Sequence, residues 1–294
     1  MKILLFGSTG QMGSIFKEYI PKQYELIIAP RVNFDKNFQK AIKELIEISN
    51  PDIILNFVAY TDVDGCETSQ NLALNLNAEV PSVISKYAYR IDAIFFHIST
   101  DYVYNTNTSE YLKEDSEVNP CNFYGKSKLL GEKLIQENCI KYIIIRTSWL
   151  YSDIRKNFFL TISKLIKTKN SFKVVNDQVG APTLVYDVVD SLNTIIETLT
   201  NNMKNKQDNS NYWGIYNLSN GGETTWHQFA MIIALKFDYD SKAKIISVNS
   251  KNYKSLAKRP NNSRLDNKKI YKIFGIKLPY WEDSFNNFYK DKFG

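Results

Sequence analysis

Cysteine is scarce: Cys66, Cys121 and Cys139 are scattered, and no pair has CxxC spacing. An odd set without a framework argues against a disulfide scaffold and a structural zinc site, and favours a reducing compartment. No apolar run approaches the ~18 residues that a membrane helix needs. The run Lys2 to Phe6 is too short for the core of a signal peptide. A cytoplasmic protein without membrane contact is therefore expected. No internal repeat is visible. The positive excess is modest at +6 and spread among many Asn and Ile residues rather than gathered in a basic stripe, so no nucleic-acid partner is expected.

What is present suits a core-forming chain. The 294 residues are 44% hydrophobic and 23% charged, enough for one large α/β domain or one with a smaller companion. The opening stretch MKILLFGSTGQMG organises the rest. Lys2 to Phe6 read as a buried strand, and Gly7, Gly10 and Gly13 recur at three-residue steps into a helix. Such a turn offers unpaired N–H groups and the positive end of a helix dipole to a phosphate, with glycines where a Cβ would hold the pyrophosphate off. That is a dinucleotide site by mechanism; an ordinary strand–turn–helix is the plainer alternative.

Strands are expected over Tyr24–Ala29, Asp52–Val58, Ala93–Ile98 and Tyr142–Arg146, and helices over Phe38–Ile48, Glu67–Tyr89 with a kink at Pro81, and Phe123–Glu137. This alternation specifies an α/β fold, a Rossmann-type doubly wound parallel sheet. The pattern loosens after about Asp153. Asn201 to Tyr212 reads as an exposed loop, followed by aromatic-rich short elements over Trp213–Leu218, Trp226–Leu235 and Arg259–Leu265. The expected division is an NAD(P)-binding domain over 1–165 and a smaller C-terminal α/β substrate lobe over 166–294, some of whose segments return to the first domain.

Polar clusters follow the strands at the edge where such folds bind ligands. They are Ala59, Tyr60, Thr61 and Asp62; then Ser99, Thr100, Asp101 and Tyr102; then Thr147, Ser148 and Trp149. Tyr124 and Lys128, at i and i+4, share one helix face. An ammonium beside a phenol stabilises the phenolate and lowers its pKa, making Tyr124 a usable proton donor to a carbonyl oxygen. The alternative is a Tyr and a Lys on a solvated helix face. His97, inside an apolar strand, reads as a satisfied core histidine, and His227 as a packing or capping residue. Arg259 and Arg264 suit a diphosphate clamp, because a guanidinium meets phosphate oxygens bidentately; a surface loop is the other reading.

The segments GSTGQMG, STDYVY, YGKSK, RTSWLY, QVGAPT and RPNNSRL, in this order along essentially the whole chain, resemble the dTDP-4-dehydrorhamnose reductase family of the extended short-chain dehydrogenase/reductase superfamily. The resemblance implies that Thr100, Tyr124 and Lys128 are catalytic. It implies a cofactor site of Gly7, Gly10, Gln11, Met12 and Gly13, edged by Ala59, Tyr60 and Thr61 and joined by Tyr124 and Lys128. It also implies that Asp101 and Trp149 meet a nucleotide sugar, with Trp149 stacking on the sugar or filling the interlobe core; Thr100 at the reacting carbonyl and Arg259 as a diphosphate clamp complete the expected substrate site. The implied reaction is reduction of a C4 keto group by NADPH or NADH. Arg31 inclines the choice to NADPH, since a 2′-phosphate needs a cation, while Asp35 further on is the acidic candidate for a 2′-hydroxyl.

Sugar-nucleotide 4,6-dehydratases resemble the chain too, but carry an Asp-Glu pair after the Thr. Here the pair is Asp101-Tyr102, which leaves carbonyl reduction as the expected chemistry. Some family members are metal-bridged dimers using an acidic residue after the glycine turn. This chain has Ser14, Ile15 and Phe16 there, with Glu18 out of register and Asp187 alone, so no metal is expected. A homodimer stays open. The alternatives are a reductase for another nucleotide-linked 4-keto-6-deoxysugar and a regulatory subunit like the beta subunit of methionine adenosyltransferase.

Overall fold

The computed structural model describes residues 1–31, 38–105, 108–237 and 243–294. β1 (Lys2–Phe6) runs through the glycine turn into α1 (Gln11–Tyr19), and β2 (Glu25–Ile28), α2 (Phe38–Ser49) and β3 (Ile53–Asn56) follow. Next come α3 (Val63–Thr68), α4 (Gln70–Leu74), a π-helical turn over Asn75–Glu79, α5 (Val80–Arg90), β4 (Ile94–Thr100), α6 (Phe123–Asn138) and β5 (Tyr142–Thr147). The expected single helix from Glu67 to Tyr89 is thus broken. Pro81 stands in the first turn of α5, where its missing N–H costs nothing, and the irregularity falls earlier, in the π turn.

The C-terminal half contains β6 (Leu150–Tyr151), α7 (Phe158–Thr168), β7 (Ser171–Val175), β8 (Val179–Gly180), β9 (Thr183–Leu184) and α8 (Val185–Lys204). It continues with β10 (Gly214–Asn217), β11 (Thr224–Thr225), α9 (Trp226–Phe237), β12 (Lys244–Val248), β13 (Asn262–Ser263), α10 (Lys268–Phe274) and α11 (Trp281–Phe293). The stretch expected as a loop from Asn201 to Tyr212 is helical as far as Lys204, and Asn209 within it is buried, its amide donating to the Leu199 carbonyl.

The main sheet is parallel with order β10-β5-β4-β3-β1-β2, a doubly wound α/β arrangement. Ile53, Ile54 and Leu55 of β3 are wholly buried, as a strand covered on both faces requires. On one face Ile3, Leu5, Ile94, Phe96 and Ile143 pack with α1 and α8. On the other, Leu4, Phe6, Ile54, Phe95 and Ile144 pack with α2, α5 and α6. Both α8 and β10 come from beyond residue 166 yet belong to this body. The remaining segments form an aromatic cluster in which Tyr151, Phe159, Phe229, Trp281, Phe285 and Phe288 are buried. A pair of parallel strands, β7 and β12, adjoins it.

Gly7 has φ +82°, a left-handed backbone that favours glycine. A Cβ on Gly13 would stand 2.3 Å from the Gly7 carbonyl oxygen, so this position tolerates no side chain and α1 can start hard against the turn. No helix among the described residues is long and apolar enough to cross a membrane.

Candidate active site

β1 ends at Phe6, and Gly10 precedes the first turn of α1, whose N–H groups lack intrahelical partners. A Cβ placed on Gly10 would meet only the Gly7 carbonyl, at 3.5 Å, so the ledge above it is open. Open space beside the start of a helix fits a pyrophosphate. Two residues expected there are turned differently. Met12 buries its side chain in the core, leaving its backbone N–H for a phosphate. Gln11 Oε1 accepts from Ser152 Oγ at 2.6 Å and Asn157 Nδ2 at 3.0 Å, which ties the glycine turn to the loop after β6. Arg31 is exposed just past β2, and Asp35 lies outside the described residues.

Ala59 and Tyr60 are half-buried and Thr61 exposed in the loop after β3. They are held by Asn77, whose Oδ1 accepts from Tyr60 N at 2.8 Å and whose Nδ2 donates to Tyr60 O at 3.1 Å and Ser127 Oγ at 2.9 Å. Asn77 is wholly buried in the π turn. Gly131 lets α6 close against it, for a Cβ there would lie 2.1 Å from the Asn77 carbonyl oxygen. No sequence pattern marked Asn77, because only an irregular helix turns it toward residue 60.

Asn122 caps α6 by accepting from Gly125 N at 2.8 Å, and Glu67 accepts from Phe123 N at 2.9 Å. These contacts set the helix that carries Tyr124 and Lys128. The Tyr124 ring meets the Tyr102 ring edge-on, centroids 5.5 Å apart. The Thr100 hydroxyl lies near the Tyr124 phenol, whose pKa it pulls down, and donates to Asp101 Oδ1 at 3.1 Å. The tyrosine and the lysine do share a helix face, but the expected electrostatics are reversed. Burial pushes the Tyr124 pKa up, with Thr100 pulling it down and Asp101 pushing it further up. Lys128 does not act on the phenol here: its Nζ is 3.0 Å from His97 Nε2 and donates to the Ile98 carbonyl at 2.6 Å. Burial brings Lys128 down to about 7, Glu132 opposing.

Asp101 is buried, and one of its carboxylate oxygens, Oδ2, lacks a hydrogen-bond partner among the described residues, as do the hydroxyls of Ser99, Thr147 and Ser148. Burial pushes the Asp101 carboxyl up to about 7, the Ser263 and Thr100 hydroxyls pulling the other way. Unpaired buried polar atoms are costly, and four of the seven side-chain atoms of this kind among the described residues lie where β4 and β5 end.

Two expected substrate contacts are already engaged. Trp149, at φ +50°, stacks on Trp226 with centroids 3.6 Å apart, and Gly180 leaves room for its indole. One face of its ring therefore goes to α9 rather than to a sugar. Arg259 is paired in a fork with Asp64, at 3.3 and 3.1 Å, and this pairing rather than an open guanidinium fixes it. It lines a cavity of about 230 Å³ with Asn105, Cys121, Lys258 and Asn261. Arg264 pairs with Glu223 at 3.0 Å and lies over the Tyr111 ring. A larger recess of about 400 Å³ opens at the amino-terminal end of the sheet beside Ile94, Cys139 and Trp213, and none of the site residues is in its wall. Among the described residues, no group of three His, Cys, Asp or Glu side chains could hold a metal.

A doubly wound parallel sheet with a glycine turn after its first strand, and a Tyr–Lys helix beside its fourth, defines the architecture of the extended short-chain dehydrogenases and reductases. More narrowly, the chain belongs to the family described as the RmlD substrate binding domain, which matches residues 1–293. It is 37% identical over 293 residues to a dTDP-4-dehydrorhamnose reductase of Salmonella typhimurium, covering 96% of this chain and 95% of that protein. A crystal structure of a dTDP-4-dehydrorhamnose reductase from Clostridium acetobutylicum superimposes with TM-score 0.87 at 32% identity, over 99% of both chains. The enzyme of that name from Bacillus anthracis, solved in complex with NADP, gives TM-score 0.87 at 29% identity and the same coverage.

Proposed function

We propose that this protein is an NADPH-dependent reductase that converts dTDP-4-dehydro-L-rhamnose to dTDP-L-rhamnose. The observation that carries this reading is the placing of Tyr124 and the buried Lys128 one helical turn apart on α6, beside Thr100 at the carboxyl edge of the sheet. Bound NADPH would supply the hydride that reduces the C4 carbonyl. The glycine turn and the first N–H groups of α1 hold its pyrophosphate, and the loop of Ala59, Tyr60 and Thr61, braced by Asn77, edges it. Arg31 meets the 2′-phosphate, which supports NADPH over NADH.

At the other end, Thr100 turns its hydroxyl proton from Asp101 to the carbonyl oxygen as charge develops there, and Tyr124 gives that oxygen a proton. A phenol is protonated at neutral pH, as a proton donor must be. Lys128 reaches the cofactor ribose and supports the phenolate left behind. The unpaired Asp101 Oδ2 and the Thr147 and Ser148 hydroxyls take the sugar hydroxyls, and Lys258 meets the diphosphate beside Arg259, which keeps its fork with Asp64. A carboxylate is missing at Tyr102, so the elimination chemistry of the 4,6-dehydratases has no second acid or base. Three unpaired cysteines support a cytoplasmic setting.

Purified protein mixed with NADPH and dTDP-4-dehydro-L-rhamnose should consume the cofactor and yield the rhamnose product by mass and chromatography. Turnover only with another nucleotide-linked 4-keto-6-deoxysugar would move the substrate. No oxidation of NADPH with any such sugar would end the enzyme reading and favour a regulatory subunit.

A further inference from the structure

Two buried side chains beneath α6 have no part in the proposed reaction. His97 on β4 and Asn56 on β3 are register partners in neighbouring strands, and both are wholly buried. Asn56 Nδ2 lies 3.1 Å from His97 Nδ1, and His97 Nε2 lies 3.0 Å from Lys128 Nζ. The backbone decides which way these hydrogen bonds point. Val58 N–H can only donate, and at 3.1 Å from Asn56 Oδ1 it settles which end of the amide is oxygen. Asn56 therefore presents its NH2 to the imidazole, and Nδ1 must accept.

A neutral imidazole with Nδ1 accepting carries its proton on Nε2, aimed at Lys128. An ammonium has no lone pair to receive it, whereas a neutral amine has one and still donates to the Ile98 carbonyl. An imidazolium would set N–H against N–H at Asn56. We propose that His97, its tautomer fixed by Asn56, holds Lys128 as a neutral amine in the cofactor-free protein, and that Lys128 gains a solvent proton on turning to the ribose.

His97 is thus a positioning residue that acts through Lys128; the second half rests on the cofactor reading above. The other groups around the Tyr124–Lys128 face are Glu132 on α6, Arg146 on β5, Asp101 after β4 and Cys66 on α3. Glu132 alone would favour an ammonium, but its carboxylate is engaged by Arg146 at 3.0 and 2.6 Å. Burial also lowers the His97 pKa well below its usual range, which agrees with a neutral ring.

The chain has two histidines, so long-range proton–nitrogen NMR of the cofactor-free protein, with His227→Asn for assignment, reads His97 directly. The expected spectrum is a neutral ring protonated on Nε2 from about pH 5 to about pH 8, where an ordinary histidine titrates. A proton on Nδ1, or an imidazolium in that range, overturns the proposal. Calorimetry of NADPH binding at about pH 8.5, in buffers of different ionisation heat, avoids the phosphate titration near ~6. It should show close to one proton taken up per cofactor bound. Asn56→Asp, whose carboxylate accepts from Nδ1 and turns Nε2 into an acceptor, should reduce that uptake toward zero. Uptake near zero in the unaltered protein with binding intact overturns the second half. If NADPH fails to bind, the cofactor reading falls, and the tautomer measurement still decides the first half.

Discussion

The layer of side chains beneath α6 and the mouth above the carboxyl edge of the sheet treat buried polar groups in opposite ways. Beneath α6, the polar atoms of Asn56, Asn77, His97, Lys128, Glu132 and Arg146 find partners within the chain. At the mouth, Ser99, Asp101 Oδ2, Thr147 and Ser148 are buried without any among the described residues. A satisfied network rigidifies what it holds, while unsatisfied groups store a cost that a ligand relieves. Replacements beneath the helix should therefore lower stability, and replacements at the mouth should lower activity and leave or raise stability.

The largest effect is expected at the mouth. Tyr124→Phe should reduce turnover by roughly 10²–10⁴-fold, the range for loss of a general acid, while NADPH affinity measured by fluorescence stays within a few-fold. A variant with near-normal turnover would detach the tyrosine from the chemistry. Gly13→Ala tests the built side. In an ordinary helix this change helps by about 1 kcal/mol, but here the Cβ would lie 2.3 Å from the Gly7 oxygen. A loss of about 2–4 kcal/mol in urea unfolding, together with weakened NADPH binding, is expected.

Asn77→Ala should cost about 1–3 kcal/mol by leaving the Tyr60 amide and carbonyl and the Ser127 hydroxyl without that partner, and should raise the KM for NADPH several-fold. An unchanged melting temperature would show that the π turn braces nothing. Asp101→Asn points the other way. The native carboxyl has its pKa raised to about 7 by burial, against 3.8 unbound. Above pH 7 the folded protein therefore carries the cost of a buried charge, and that cost fades as the pH falls toward 4. The amide should raise stability by about 1–3 kcal/mol at pH 8, with the gain shrinking between pH 7 and pH 4, while the KM for the sugar nucleotide rises. Melting curves across that range check the sign.

Much of the fold is legible along the chain. Apolar runs such as Ile53–Leu55 between helical segments mark strands covered on both faces, and the glycine spacing after Phe6 marks the turn. Helix starts at Phe38 and Phe123 fall where periodicity places them, and the Asn122 cap came only with the structure. The π turn was not legible, because a one-residue excess in a helix leaves the apolar pattern nearly intact. Nor were the ties of Gln11 to Ser152 and Asn157, or of Arg259 to Asp64, which join residues 141, 146 and 195 positions apart. The stacking of Trp149 on Trp226 is of the same long-range kind.

By itself the sequence determined the order of strands and helices, the turn for a phosphate, and the placing of Tyr124 and Lys128 on one helix face, because each depends on spacing within a few residues. Only the tertiary structure decided the directions in which the lysine and tyrosine pKa values move. Those depend on desolvation and on groups that the fold brings in: Thr100 and Asp101 at the end of β4 beside Tyr124, and Glu132, engaged by Arg146 on β5, near Lys128. Local spacing can bring two groups together, but the dielectric and the hydrogen bonds around them belong to the assembled fold.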